Sequence, residues 1–276
     1  MTEFKAKIAI SNIAWSPEED DEIAGILSKL LISGIEVSPT KLWDNPTDQD
    51  DYSIQSCLDY WSEKSIKIIA MQALLFGHPE CTIFDNENSR MKTLTYLSKI
   101  ITLGTKLGAK IFVFGSPKNR LVQGLESKKV KDTAIKFFYA LGELAHKKSA
   151  KFCIEPNALE YGCDFVCTTS EGVDIVKEVA HPGFKLHLDA GVMSLNHERY
   201  EESLDLAFEF MEHFHISEPY LQEIGKGETD HIRIARHLRI MNYDKWVSIE
   251  MKNNLRESNI STVKDSLEYV IEKYTS

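Results

Sequence analysis

Nowhere does this sequence hold a run of apolar residues approaching the roughly 18 that cross a bilayer as a helix. Its opening, MTEFKAKIAIS, has no apolar core of a secretory leader. Both absences lead us to expect a protein that works in water with no membrane partner. Cysteine is scarce too: Cys57, Cys81, Cys153, Cys163 and Cys167 are odd in number and form no C-x-x-C pair. That excludes a disulfide framework and a paired-cysteine zinc site. Cys163 and Cys167 are read as free loop thiols, and a reducing cytoplasm is the expected location. Positive charge is in deficit, with 32 Lys and Arg against 42 Asp and Glu, a formal charge of −10. A general nucleic-acid binder needs a basic footprint and is not expected, although a few local cations could still hold a small anion. Linkers, low-complexity tracts and composition shifts are missing as well, so residues 1–276 are read as one domain.

What is present is alternation. Short apolar runs recur at 7–11 (KIAIS), 34–39 (GIEVSP), 66–72 (IKIIAMQ), 110–117 (KIFVFGSP), 151–157 (KFCIEPN), 184–191 (FKLHLDAG), 213–219 (HFHISEP) and 245–251 (KWVSIEM). Longer helical patterns fill the gaps. Ser16-Pro17-Glu18-Glu19 has a capping serine, a proline at the first helical position and a glutamate three after the cap. Behind it Ile23, Ile26, Leu27, Leu30 and Leu31 fall on one face. Thr168 and Glu171 repeat the capping spacing ahead of Val173, Val176 and Val179, and KKVKD (128–132) reads as a solvated helix start. Eight strand–helix units in one 276-residue chain with 43% hydrophobic residues imply an α/β protein. The expected architecture is a single (β/α)8 TIM barrel with its active site at the C-terminal ends of the strands.

In a barrel strand alternate residues face the centre. With Phe152 and Ile154 turned to the helices, Cys153, Glu155 and Asn157 face inward. By the same alternation His187 and Asp189, then His213, His215 and Ser217, then Trp246, Ser248 and Glu250 also face inward. Each run ends soon after its polar residue, at Pro156, Ala190-Gly191, Pro219 and Asn253. Glu155, Asp189, His215 and Glu250 therefore meet at the mouth. Any one alone would be read as a salt-bridged or hydrogen-bonded barrel residue, but four on consecutive strands at one end point to a cation. Three carboxylates so close would repel without one. Three oxygens and one nitrogen suit Mn²⁺ or Mg²⁺, and Co²⁺ or Zn²⁺ also fit. His187 and His213 lie one layer deeper and are read as support behind the ligands.

The motifs IEPN, HLDAG, HFHIS and SIEM, with 34, 26 and 35 residues between the four ligands, resemble the xylose isomerase-like TIM-barrel superfamily. The resemblance spans essentially the whole chain, and within the superfamily it is nearest to the sugar phosphate isomerases and epimerases. It implies that Glu155 and Glu250 both bind the metal and exchange protons with substrate. The metal would polarise a carbonyl and its neighbouring hydroxyl, stabilising an enediolate, while one carboxylate removes a carbon-bound proton and its partner returns one. The implied activity is an isomerase or epimerase of a sugar, sugar phosphate or keto-sugar, and the implied assembly is a homodimer or homotetramer. A dehydratase of a keto-polyol or inosose, or a metabolite-binding barrel without turnover, are the alternatives. Two positions depart from the ketose 3-epimerases of that superfamily: Val192 stands where they carry a histidine, and Leu221 where they carry an arginine. Val192 also stands in place of a ligand that endonuclease IV needs.

Further substrate contacts are sought near the mouth. Glu36 and Gln72 end the second and third runs, Asn157 follows Glu155, and Trp15, Trp43 and Phe76 could stack on a sugar. Lys118 and Arg120 could hold a phosphate or carboxylate, and His187 is kept as a deeper substrate contact. Glu218, Lys226, Asp230 and His231 lie in the loop after His215, where Asp230-His231 reads as a polar helix start. Glu160, Tyr161 and Asp164 lie in a loop that could cover the site.

Overall fold

Parallel strands cannot be joined by tight turns, so each must be followed by a crossover that packs back on the sheet. The computed structural model, which describes residues 6–275, shows that consequence eight times over. Strands β1 (Lys7–Ser11), β2 (Gly34–Val37), β3 (Lys67–Met71), β4 (Ile111–Phe114), β5 (Lys151–Ile154), β6 (Phe184–Asp189), β7 (Met211–Ser217) and β8 (Trp246–Glu250) pair in parallel. They close in sequence order into a barrel, β8 returning to β1. Around them run α1 (Asp20–Lys29), α2 (Pro39–Leu42), α3 (Asp51–Glu63), α4 (Glu87–Lys106), α5 (Ser127–Lys147), α6 (Thr169–Val179), α7 (Ala190–Leu195), α8 (Tyr200–Ala207), α9 (His231–Ile240) and α10 (Asn259–Thr275). The expected (β/α)8 barrel is the fold.

The apolar runs overshoot several ladders. β2, β4 and β5 stop at Val37, Phe114 and Ile154. The prolines soon after them (Pro39, Pro117 and Pro156) have no N–H to donate to a ladder. Glu155 and Asn157 therefore stand on the turn just past β5. Both capping boxes form, at Ser16/Glu19 and at Thr168/Glu171. Leu31 corrects the expected α1 face. The helix ends at Lys29, and Leu31 lies beyond it at φ 58°, 89% exposed.

The core has two parts, as alternation requires. Ile10, Ile35, Phe112, Phe152, Leu186, Phe214 and Val247 face outward into the layer between barrel and helices. Ala9, Ile69, Ala70, Ile111, Val113 and Cys153, with Trp246 against them, plug the barrel interior. Two irregularities shape the end above that plug. The β2–β3 register shifts at Ile35/Glu36 and the β6–β7 register shifts at Leu186/His187. Beyond the second shift Asp189 stands directly beside His215, and on the next pair Ser217 stands beside Glu250.

Candidate metal centre and its cavity

Potential ligand atoms of Glu155, Asp189, His215 and Glu250 all lie within 4.8 Å of one another at the C-terminal mouth. Each is placed by its own local structure. Asp189 is the N-cap of α7, where one oxygen accepts from Val192 N–H at 2.6 Å and the other from the Ser217 hydroxyl at 2.6 Å. His215 presents Nδ1 to the ring, 3.1 Å from a Glu250 oxygen and 3.7 Å from an Asp189 oxygen. That nitrogen is buried, yet no described residue hydrogen-bonds to it. Glu155 depends on Gly115: a Cβ there would stand 2.4 Å from its Oε2. A buried orphan imidazole nitrogen facing three carboxylates is a donor set that fits a divalent cation.

Electrostatics point the same way. Burial, then Glu250 and Asp189, push Glu155 well above the usual carboxylate range. Burial, then Glu250, raise Asp189 to about 6. Burial alone would lower His215, but Glu36 and Glu250 on its two sides outweigh it and raise the imidazole. These carboxylates resist ionising together, which a cation would relieve.

Beneath the ring is a buried polar column. Glu36 is fully buried, with Oε2 2.8 Å from His215 Nε2 and Oε1 3.4 Å from His213 Nε2. The two imidazoles hold its carboxyl well below the usual range despite burial. His187 packs edge-on against His215, ring centres 4.0 Å apart. Burial and the two neighbouring imidazoles hold its pKa well below the ordinary histidine value. Glu36 and His187 are therefore corrected from substrate contacts to groups that fix the His215 ring, because neither has any exposed surface. His213, read as support behind the ligands, is fully buried beside Glu36.

A model of the xylose isomerase-like TIM barrel matches residues 27–273. The chain belongs to that family. No curated protein matches it. Among solved structures it is similar to a D-psicose 3-epimerase crystallised with D-fructose, at 15% identity over 98% of this chain and 100% of that one, TM-score 0.79. It is also similar to a 3-keto-D-glucoside 4-epimerase from E. coli, at 17% identity over 97% and 100%, TM-score 0.79. A third is the probable 3-DHS dehydratase of petrobactin synthesis from Bacillus anthracis, at 14% identity over 96% and 98%, TM-score 0.72. At such identities the likeness establishes the fold.

Above the ring this member of the family opens a cavity of about 580 Å³. Gln72, Phe76, Lys118, Asn157 and Tyr161 line it, as do Glu155, Asp189 and Glu250. Gln72 donates to Ser11 Oγ at 2.6 Å, and Phe76 is 69% exposed. Val192 and Leu221, the two departures from the 3-epimerase pattern, also line it. Trp15 and Arg120 are corrected as substrate contacts. Trp15 is buried in the outer core with Nε1 on Asp20, and Trp43 packs on the same core. Arg120 is fully buried and donates Nη2 to the Glu155 carbonyl at 2.7 Å, so it braces the turn that carries Glu155.

The covering loops are tied together. Tyr161 Oη accepts from Tyr220 N–H at 2.8 Å, and Asp164 accepts from Val122 and Gln123 N–H. Glu160 is exposed. Asp230 caps α9 through Arg233 N–H, as its polar-helix-start reading expects. Glu218 lines the cavity edge and is held by Gly225 and Thr229 N–H and by His231, whose other nitrogen meets Tyr274. Lys226 is exposed on that loop. Sequence reasoning missed Tyr220, Gly115 and Lys252. Lys252 had a signal, since it follows Glu250 by two residues as Asn157 follows Glu155. Tyr220 had none, because its φ of 60° is a property of the folded turn.

Proposed function

We propose that this protein is a divalent-metal-dependent isomerase or epimerase of a small sugar derivative, with Mn²⁺ or Mg²⁺ as the ion. The observation that carries the reading is the placement of Glu155, just past β5, and Glu250, at the end of β8, at one mouth with Asp189 and His215. A divalent ion held by these four would polarise a substrate carbonyl and lower the cost of an enediolate beside it. Glu155 and Glu250 then face the substrate from opposite sides. One takes the proton from the carbon next to the carbonyl, and the other returns a proton. Return to the other face of the same carbon epimerises it; return to the neighbouring carbon isomerises the sugar. Burial beside Glu250 and Asp189 raises Glu155 above the usual carboxylate range, so it holds a proton more readily than a free carboxylate does. Tyr161 and Tyr220, joined over the mouth, shield the reacting carbon from water.

The same proton abstraction can instead expel a hydroxyl, and the fold shared with the probable 3-DHS dehydratase supports that reaction as the second reading. The test is incubation of manganese-loaded protein with ketoses and keto-polyols in deuterated water. An isomeric product carrying one solvent deuterium is expected, and loss of water would mark a lyase. Glu155→Gln and Glu250→Gln are each expected to slow exchange by about 10²–10⁴-fold. Exchange that survives both substitutions would remove the two glutamates from the mechanism.

A further inference from the structure

We propose that the mouth takes an anionic sugar derivative, and that Lys118 and Lys252 grip its phosphate or carboxylate. The inference rests on the function above and names the substrate class of the same site. Lys118 and Lys252 are the only cations lining the cavity among the described residues. Both are exposed, and among the described residues neither ammonium is paired with a carboxylate. Other lysines, such as Lys64, Lys106, Lys131 and Lys245, rest against an acidic side chain. Two free cations beside a mouth that holds three ligand carboxylates and Glu218 are placed for something that arrives with substrate.

The turn that carries Lys118 is built to present it. Ser116 sits in the left-handed region at φ 41°, strained for a residue other than glycine. On the far side Asn119 is buried, donating to the His78 and Cys81 carbonyls, and Arg120 is anchored on the Glu155 carbonyl. Of this turn's cavity-lining residues, Ser116, Pro117, Lys118 and Asn119, Lys118 alone is charged. Lys252 is fixed at its backbone, with its N–H donating to the Leu221 carbonyl at 3.0 Å. It stands two residues beyond Glu250, so an anion it holds lies close to the reacting carbons. Charge balance favours the same substrate. Three carboxylates with one divalent ion leave the ring net negative, and an anionic sugar would be repelled unless cations at the rim offset it. A neutral ketose would leave both lysines idle.

The test is calorimetric titration of manganese-loaded protein with fructose, its terminal phosphate ester and a hexulosonate of the same chain length. At least one anionic ligand is expected to bind about tenfold tighter than fructose at low salt, and the stronger of the two names the anion. In Lys118→Ala/Lys252→Ala the gap should shrink to about twofold or less, while Lys118→Arg/Lys252→Arg keeps it. Lys29→Ala/Lys110→Ala removes two charges at the opposite end of the barrel and should leave the gap intact. Equal affinities, no binding of either anion, or a gap that survives the double alanine variant overturns the proposal. Metal content of the same samples separates the two questions. Protein that takes up no manganese sinks the metal-dependent reading, while the affinity ratio still reports on the lysines.

Discussion

Glu36 stands behind His215, on the side away from the carboxylate ring. A metal on Nδ1 would leave Nε2–H to donate to the Glu36 carboxylate, 2.8 Å away. A carboxylate behind a ligating imidazole fixes its tautomer and increases its basicity. Glu36→Gln keeps the size but lacks the charge, and is expected to weaken Mn²⁺ binding by about 10–100-fold. Competition against a metallochromic chelator measures this, with circular dichroism checking the fold; unchanged affinity would reduce Glu36 to a space-filler. Gly115→Ala is the complementary test. The new methyl would meet a Glu155 oxygen at 2.4 Å and an Asn157 oxygen at 3.5 Å, so the carboxylate must shift. A reacting group moved by about 1 Å is expected to slow deuterium exchange about a hundredfold while the fold is kept. Exchange at the unsubstituted rate would mean that Glu155 does not need its present position.

Strand alternation made the inward face of β5 to β8 readable from residue order alone, because a period of two leaves little choice once the apolar positions are assigned to the helix layer. Depth within the barrel was not readable that way. Glu36 and Gln72 share an inward phase at neighbouring strand ends, yet Glu36 has no exposed surface and Gln72 lines the cavity. Glu36 pairs with Ala70, two residues below Gln72. Nor does local sequence tell whether a loop cation will be presented or buried. Lys118 and Arg120 are two residues apart, and only the Glu155 carbonyl that Arg120 meets 35 residues later distinguishes them. At the other end of β2, Gly34 admits the Trp246 ring into the barrel floor, where a Cβ would stand 2.6 Å from a ring carbon. Gly34→Ala is therefore expected to destabilise the barrel by about 1–3 kcal/mol in urea unfolding. Manganese content of the folded fraction should not change, since the ring lies at the opposite end of the strands. A loss of metal at full stability would contradict that separation of floor from mouth.

The whole molecule is acidic at −10 and gathers three carboxylates at one mouth, so its stability without metal should depend on pH in a definite direction. Asp189 is raised to about 6 and Glu155 well above its usual value. Both bind protons more readily folded than unfolded. Their contribution to stability is present below the unfolded values of about 4 and is lost as pH rises through about 6 and beyond. His215, raised by Glu36 and Glu250, acts in the same direction. Glu36 acts oppositely, since its lowered value contributes stability above the unfolded one and loses it in acid. A divalent ion bound by the ring would replace these protons, so its effect should grow as they become harder to hold. At a hundred times its dissociation constant the ion stabilises by about 2.7 kcal/mol. We expect manganese to raise the melting temperature several degrees at about pH 8, much less at about pH 5 where protons compete for the same oxygens, and hardly at all in Asp189→Asn. Thermal melts of both proteins at the two pH values, with and without manganese, decide the matter. A shift equally large at the lower pH, or one retained in Asp189→Asn, would place the ion somewhere other than this ring.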